Sequence, residues 1–355
     1  IQSFADQPLE GFTYGSGNAP TGKEWESPEN LALNKEQPHA YFFPFQHLDN
    51  ARKVLPENSK YWQSLDGDWK FHWAPDPDSR PKDFYQTEYD VSSWDAIPVP
   101  SSWNIYGIQK DGSQKYGTPI YVNQPVIFQH SVKVDDWRGG VMRTPPANWT
   151  TYKDRNEVGS FRRDFEIPQD WDGREVFISF DGVDSFFYLW INGQYVGFSK
   201  NSRNTANFNI TPYLQKGKNT VAAEVYRSSD GSFLEAQDMF RLPGIFRTVA
   251  LYSVPKVYFR DLVATPDLDA TYTDGSLTVN AEIRNLDKKA IKDYTVYYSL
   301  YANKLYSDEN TLVDGFLSPV IDKIAPNETG SVQTVLKVKA PNKWSAEFPY
   351  RFTLV

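Results

Sequence analysis

The sequence predicts an all-β protein made of two β-sandwich domains. From Tyr61 onward, short apolar and aromatic runs alternate with turn residues at the spacing that is typical of sandwiches. From about residue 255, apolar and polar residues alternate strictly, and amphipathic helical patterns of about ten residues or more are missing throughout. The chain has 355 residues, 40% of them hydrophobic and 16% aromatic, which is enough to fill two cores.

The first domain is predicted from a series of short strands. The run Trp69–Trp73 follows a turn at residues 66–68, and Asn192-Gly193 separates two apolar runs. Both residues of this dipeptide tolerate positive φ, so we expect a type I′ hairpin there. Further strands are expected at residues 160–167, 174–180, 185–191, 220–226 and 246–252.

The second domain is predicted from alternation alone. Apolar residues occupy every second position over residues 277–283 and 294–300, and over residues 332–338 with Thr334 as the exception. This pattern, without any cysteine pair, favours a small immunoglobulin-like or fibronectin-like sandwich. The opening stretch to about residue 58 is rich in Pro, Asn, Glu and Gly and has no period, so we interpret it as an extended arm on a domain surface.

Composition excludes several classes of function. The formal charge is −8 and no Lys/Arg block forms a basic patch, which argues against nucleic acid or an anionic membrane as partner and fits a neutral ligand. No apolar run approaches the roughly 20 residues of a membrane span. The absence of cysteine excludes disulfides and thiolate chemistry, and four scattered histidines do not make a metal site.

Two Asn-Glu pairs, Asn156-Glu157 and Asn327-Glu328, stand in turn-like contexts and are interpreted as solvated turn residues. The chain begins with Ile1, which either a removed signal peptide or a trimmed start explains. The first explanation favours the periplasm or the extracellular space, and the second leaves the cytoplasm open.

Six stretches occur in a characteristic order along the chain, at residues 64–71, 94–104, 180–193, 229–241, 244–247 and 344–350. Together they resemble the N-terminal half of family 2 glycoside hydrolases. The most specific stretch starts at Ser229-Asp230-Gly231-Ser232 and is similar to the β-galactosidase branch.

This resemblance implies the architecture and the parent activity. It implies an arm at residues 1–39, a jelly-roll domain of the galactose-binding type at residues 40–254, and an immunoglobulin-like domain at residues 255–355. The parent would be a retaining β-galactosidase. A (β/α)₈ barrel with its two carboxylates needs roughly 250 residues of alternating strands and helices, and it is absent here. No catalytic residue is therefore assigned, and the chain alone is predicted to be inactive.

The resemblance also implies two residues that reach the substrate. Asn123, in the segment Pro119-Ile120-Tyr121-Val122-Asn123, would bond the sugar. Asp230 would accept hydrogen bonds from galactose hydroxyls and help to ligate sodium. A strand cap at Asn123 and a plain turn at Asp230-Gly231 remain the alternatives.

A dense polar set follows Asp230, and we expect it to form hydrogen-bonded ion pairs that hold this loop and dock it on the barrel. The set consists of Glu235, Gln237, Asp238, Arg241 and Arg247. Residues 129–157 are longer than the family core requires, and they either adjust substrate preference or form an inert loop. The chain itself calls for no cofactor. Sodium, magnesium and homo-oligomerisation are expectations for the full enzyme only, whose partners would be a β-galactoside or oligosaccharide and its own catalytic barrel.

A rival hypothesis is a free-standing carbohydrate-binding or adhesion module without hydrolase activity. Such a module should bind sugar on an exposed aromatic platform. A hydrolase fragment should instead carry its candidate residues at an open domain edge.

Overall fold

The computed structural model describes residues 10–15, 19–122, 156–235, 238–304 and 310–355. Asn123, Gln237 and residues 129–155 of the long segment lie outside this set. The described residues are mainly β-strands, and the longest helix among them has 6 residues, so the predicted all-β class is confirmed. No helix in the described ranges has the length and apolarity that crossing a membrane requires.

The chain divides into two compact units. One holds residues 63–252 and the described part of residues 8–37, and the other holds residues 38–62 and 253–355. Residues 38–62 therefore group with the second sandwich, whereas the sequence led us to expect most of them in the first domain. The predicted limits at 39/40 and 254/255 stay a prediction.

Short strands account for most of the first sandwich. In chain order they are β1 (Phe12–Thr13), β2 (Ala32–Leu33), β3 (Trp62–Ser64), β4 (Gly67–Ala74), β5 (Asp95–Val99), β6 (Ile120–Val122), β7 (Val158–Glu166), β8 (Glu175–Phe180), β9 (Val183–Asp184), β10 (Phe186–Ile191), β11 (Gln194–Lys200), β12 (Ala206–Asn209), β13 (Lys218–Tyr226), β14 (Met239–Arg241), β15 (Gly244–Ile245) and β16 (Val249–Val254). The helices are all short: α1 (Leu48–Lys53), α2 (Trp103–Tyr106), and 3₁₀ turns at Glu24–Glu26, Pro56–Asn58, Gln169–Trp171, Thr211–Tyr213 and Asp230–Phe233.

Among the described residues, eight strands form one sheet in the order β1-β2-β11-β10-β13-β7-β4-β5, and four form a second in the order β12-β8-β16-β3. Aromatic rings pack between the two sheets. Phe187 on β10 lies 4.8 Å from Phe180 on β8 and 6.0 Å from Phe208 on β12, measured between ring centroids. The predicted β10–β11 hairpin is confirmed, with φ of 51° at Asn192 and 78° at Gly193.

A second apolar cluster covers the other face of the large sheet, and the arm contributes to it. Trp25 is 3% exposed and packs with Tyr188, Trp190 and Tyr226 of the sheet and with Phe84 of a preceding loop. The arm also adds β1 and β2 to the sheet edge through pairing of β2 with β11. This segment is thus part of the fold as well as an extended arm.

The second sandwich is built from β17 (Val257–Leu268), β18 (Gly275–Asn285), β19 (Ile291–Tyr294), β20 (Tyr297–Lys304), β21 (Asn310–Leu317), β22 (Ile321–Ile324), β23 (Thr329–Val338) and β24 (Tyr350–Leu354). The described strands pair in the orders β17-β18-β23, β19-β22 and β21-β20-β24. Every second residue of β18 is buried, as the alternation predicts. The run expected over residues 294–300 is divided between two strands, since β19 ends at Tyr294 and β20 begins at Tyr297.

Candidate functional site

The candidate site lies at one end of the large sheet, where four neighbouring strands meet. β13 ends and β11 ends there, while β7 and β10 begin there. The register pairs Phe186 with both Tyr226 and Lys200, and Tyr226 with Val158. The residues just beyond these strand ends are therefore brought together although they are far apart in sequence.

Asp230 opens a 3₁₀ turn directly after β13. A capping box fixes the start of this turn, because Ser229 and Ser232 each bond the backbone of the other. Ser185 Oγ donates to Ser229 Oγ at 3.2 Å, which ties the turn to the first residue before β10. The Asp230 side chain, 8% exposed, points to Lys200, whose Nζ lies 2.9 Å from Oδ1 and 3.0 Å from Oδ2.

Burial dominates the electrostatics of this pair. Burial raises the pKa of Asp230, and the Lys200 ammonium partly offsets that increase. Burial also lowers the pKa of Lys200, with Asp230 acting in the opposite direction. Sequence reasoning missed Lys200. The sequence signal was a lysine at the end of the predicted strand that follows Asn192-Gly193. The structure buries the last five residues of this strand, and a buried ammonium needs a partner.

Glu157 lies at the centre of a buried polar network, so its interpretation as a solvated turn residue was wrong. Arg227 Nη1 lies 2.6 Å from Glu157 Oε1, and both side chains are 1% exposed. Trp103 Nε1 and Asn104 Nδ2 donate to Glu157 Oε2 at 2.8 and 3.1 Å. A Cβ at Gly117 would overlap the Glu157 carboxyl, so this close approach requires glycine. Asn327-Glu328, by contrast, is an exposed turn as expected.

Asn156, the other half of that pair, is also buried. Its Nδ2 donates to Ser228 O and its Oδ1 accepts from Ser228 N, both at 2.9 Å. A side-chain amide that bonds both backbone groups of one residue holds that residue as a neighbouring strand would. The chain that leads to Asp230 is thus fixed two residues before the carboxylate.

Asp184 is a further buried carboxyl at this end of the sheet, and sequence reasoning did not single it out. Ser202 Oγ donates to its Oδ1 at 3.3 Å, and Arg203 Nη2 lies 3.5 Å from its Oδ2. Burial raises the pKa of Asp184 to about 6, and nearby Glu235 adds to the increase while Arg203 and Arg241 oppose it.

The expected loop set bonds mainly to backbone and to Ser202. Glu235 accepts from Ser202 N at 2.7 Å and from Ser202 Oγ at 2.5 Å, and Arg241 donates to the backbone oxygen of Glu235. Arg247 donates to Arg203 O at 2.9 Å. Asp238 is exposed, and Gln237 is outside the described residues. These contacts are intramolecular, and the docking role of the set stays a prediction.

Asn123 also lies outside the described residues. The strand before it, β6, pairs with β14 so that Val122 stands opposite Met239. Lys200 contacts both carboxylate oxygens of Asp230, and sodium ligation by Asp230 stays a prediction. No three His, Cys, Asp or Glu side chains cluster as metal ligands within the described ranges.

Comparison with protein families gives two matches that together span most of the chain. Residues 62–255 match the family model described as glycosyl hydrolases family 2, sugar binding domain. Residues 257–355 match the model described as glycosyl hydrolases family 2.

Curated relatives carry the name β-galactosidase. The protein from Priestia megaterium is 39% identical over 333 residues, and that from Halalkalibacterium halodurans is 34% identical over 324 residues. These alignments cover 94% and 91% of this chain but 30% and 28% of the relatives. The chain thus spans less than a third of the length of the curated relatives it matches.

Solved structures with a similar fold include two β-glucuronidases. The Bacteroides uniformis enzyme aligns with a TM-score of 0.58 at 20% identity, over 82% of this chain and 30% of that chain. The Bifidobacterium dentium enzyme aligns with a TM-score of 0.57 at 16% identity, over 84% of this chain and 45% of that chain. At these identities the likeness shows the fold alone.

Proposed function

The chain belongs to glycosyl hydrolase family 2, and from this premise we propose that it is the non-catalytic N-terminal part of a retaining β-galactosidase. In this role it shapes the active site of a catalytic barrel that this chain does not contain. The whole enzyme releases terminal β-linked galactose from glycans or oligosaccharides. The observation that supports the proposal is the position of Asp230 on a turn that a capping box fixes just beyond the end of β13.

The site supports sugar binding by its rigidity and its chemistry. A carboxylate is a strong, oriented acceptor for hydroxyl groups. The capping box, the Asn156–Ser228 hydrogen bonds and Lys200 fix its direction before any ligand arrives. The β-galactosidase names of the relatives support galactose as the sugar, and the composition, with a net charge of −8, supports a neutral substrate.

The decisive experiment measures hydrolysis of a chromogenic β-galactoside by two proteins. One is the 355-residue chain, and the other is the same chain extended through its natural stop codon. We expect activity only in the extended protein, with the β-anomer of galactose as the first product in a ¹H NMR time course. A matched β-glucuronide serves as the competing substrate. Faster turnover of the glucuronide, or first release of the α-anomer, would contradict the proposal.

One observation favours the alternative of a free-standing carbohydrate-binding module. Within the second sandwich, Trp344 (67% exposed) and Tyr272 (71% exposed) line a cleft of about 980 Å³. Exposed aromatic rings beside a cleft are a common sugar-binding arrangement. Galactose binding by the 355-residue chain that Trp344→Ala abolishes, together with an inactive extended protein, would establish this alternative instead.

A further inference from the structure

Lys200 connects the candidate sugar ligand Asp230 to the arm segment, which we define as residues 22–33. We propose that Lys200 and the arm segment position the Asp230 carboxylate for the substrate, so that Lys200 is a positioning residue of the parent enzyme. This inference rests on the proposed function, because it assumes that Asp230 contacts the sugar.

The Lys200 ammonium has an acceptor for each of its donors. Its Nζ lies 2.9 Å from Asp230 Oδ1, 3.0 Å from Asp230 Oδ2 and 2.6 Å from Ser27 O. An ammonium has three N–H donors, so these contacts account for all of them. With a side chain only 3% exposed, Lys200 cannot exchange these partners for water without leaving the site.

The arm segment is itself firmly attached, which makes Ser27 O a fixed acceptor. Lys200 N donates to Leu31 O at 3.2 Å, and Ala32 pairs with Ser199 on β11. The Trp25 ring stacks on Tyr226 with centroids 5.5 Å apart. The arm therefore holds the ammonium from one side while the sheet holds it from the other.

Among the contacts described for Asp230, one lone-pair direction of the carboxylate has no donor. Oδ1 accepts from Lys200 and from Gly231 N at 2.8 Å, whereas Oδ2 accepts from Lys200 alone. Each carboxylate oxygen has about two lone-pair directions. The free direction on Oδ2 is the one that a sugar hydroxyl would use, and Lys200 sets where it points.

Lys35 provides a matched control. Like Lys200 it is a buried lysine, 4% exposed, and it lies just after the arm segment; burial lowers its pKa to about 8. Its ammonium lies over the ring of Phe12 at 5.9 Å and not at Asp230. Replacing Lys35 with Met therefore removes a buried charge from the arm without touching the Asp230 contact.

The test measures kcat and KM for a chromogenic β-galactoside with the full-length parent enzyme, in wild-type and variant forms. We expect Lys200→Met to lower kcat/KM on the order of 100-fold, as a misplaced substrate contact does. We expect Lys35→Met to leave kcat/KM within about twofold of wild type. Because Lys200 acts through Asp230, Lys200→Met should add almost nothing in an Asp230→Asn background, whereas a loss of general stability would persist there.

A second variant keeps the test informative if Lys200→Met does not fold. Lys200→Arg retains the charge, but its planar guanidinium does not reproduce the three N–H directions of the ammonium, so we expect a smaller loss in kcat/KM than for Lys200→Met. The Asp230→Asn background separates this loss from any change in general stability. An active wild-type enzyme whose kcat/KM is insensitive to both Lys200 variants, or equally sensitive in the Asp230→Asn background, would overturn this inference alone. A wild-type enzyme without β-galactosidase activity would overturn the proposed function and this inference with it.

Discussion

Among the described residues, Glu157, Asp230 and Asp184 are buried carboxylates at the same end of the large sheet, and each is compensated differently. Glu157 has a close guanidinium and two further donors, and Asp230 has an ammonium on both oxygens. Among the described residues, the polar contacts of Asp184 are longer, a hydroxyl at 3.3 Å and a guanidinium at 3.5 Å. A buried charge destabilises the fold to the extent that hydrogen bonds and opposite charges do not compensate it. The ionised form of Asp184 should therefore be the least favourable of the three.

The Glu157–Arg227 pair should be the most damaging of these to break. Glu157→Gln leaves the Arg227 guanidinium buried without its counter-charge, and we expect a loss of about 3–5 kcal/mol in the free energy of unfolding. The control is Lys218→Ala, which removes an ion pair with Asp164 at 2.7 Å whose side chains are 67% and 50% exposed. That loss should stay below about 1 kcal/mol in urea unfolding. Equal losses in the two variants would contradict the argument.

Asp184 should make stability depend on pH. Its folded-state pKa of about 6 lies above the ordinary aspartate value of 3.8, so the folded chain binds this proton more tightly than the unfolded chain. The stabilisation is complete below about pH 4 and is lost as pH rises through about 6. Asp184→Asn should remove this pH-dependent part of the free energy of unfolding, which amounts to about 3 kcal/mol between pH 4 and pH 7. The stability of the variant relative to wild type should therefore increase as pH rises. Denaturant titrations across this window check the sign, and a variant whose deficit grows with pH would refute it.

At the scale of elements, the turn of the β10–β11 hairpin also makes hydrogen bonds to a third strand, β13, and to the residues before it. Asn192 Nδ2 donates to Tyr213 O at 2.9 Å and to Asn219 Oδ1 at 2.8 Å, and its Oδ1 accepts from Thr220 N at 2.9 Å. The turn is thereby attached to the start of β13, the strand that ends at the candidate site. A local turn signal thus also fixes the position of a strand that comes later in the chain.

Asn192→Ala should therefore cost more than turn strain alone. We expect a loss of about 2–4 kcal/mol, because three hydrogen bonds disappear and alanine is placed at positive φ. Gly217→Ala is the matched control, since Gly217 has a φ of 78° and open space around its Cβ position. Only strain of about 1–2 kcal/mol applies there. Equal unfolding midpoints for the two variants would show that the side-chain bonds of Asn192 add nothing.

Across the whole molecule, features that neighbouring residues determine could be predicted from the sequence, whereas contacts between residues far apart in the chain could not. The Asn192-Gly193 turn and the alternation in β18 come from neighbouring residues, and both were predicted correctly. Lys200 and Asp230 are 30 positions apart, and their contact arises only when β11 and β13 flank β10 in the sheet. Glu157 was misread for the same reason, because its partner Arg227 is 70 positions away.

The grouping of residues 38–62 with the second sandwich is the last of these non-local features, and it has a direct test. Within that unit, Ala40 N donates to Asp261 Oδ1 at 2.8 Å, and the Arg52 guanidinium lies 4.4 Å from the ring centroid of Tyr301 on β20. Arg52→Ala should lower the stability of the second sandwich by about 1 kcal/mol through the lost cation–π contact and stem packing.

Amide hydrogen exchange reports this effect strand by strand. Exchange should accelerate in β18 and β20 and stay unchanged in β10 and β13, because contacts of Arg52 within its own unit stabilise only that unit. Lys53→Ala is the matched control, since Lys53 is the exposed neighbour of Arg52 at the end of the same helix. If Arg52→Ala accelerates exchange in β10 and β13 as much as in β20, residues 38–62 stabilise the first sandwich as well, and the division of the chain into these two units is wrong.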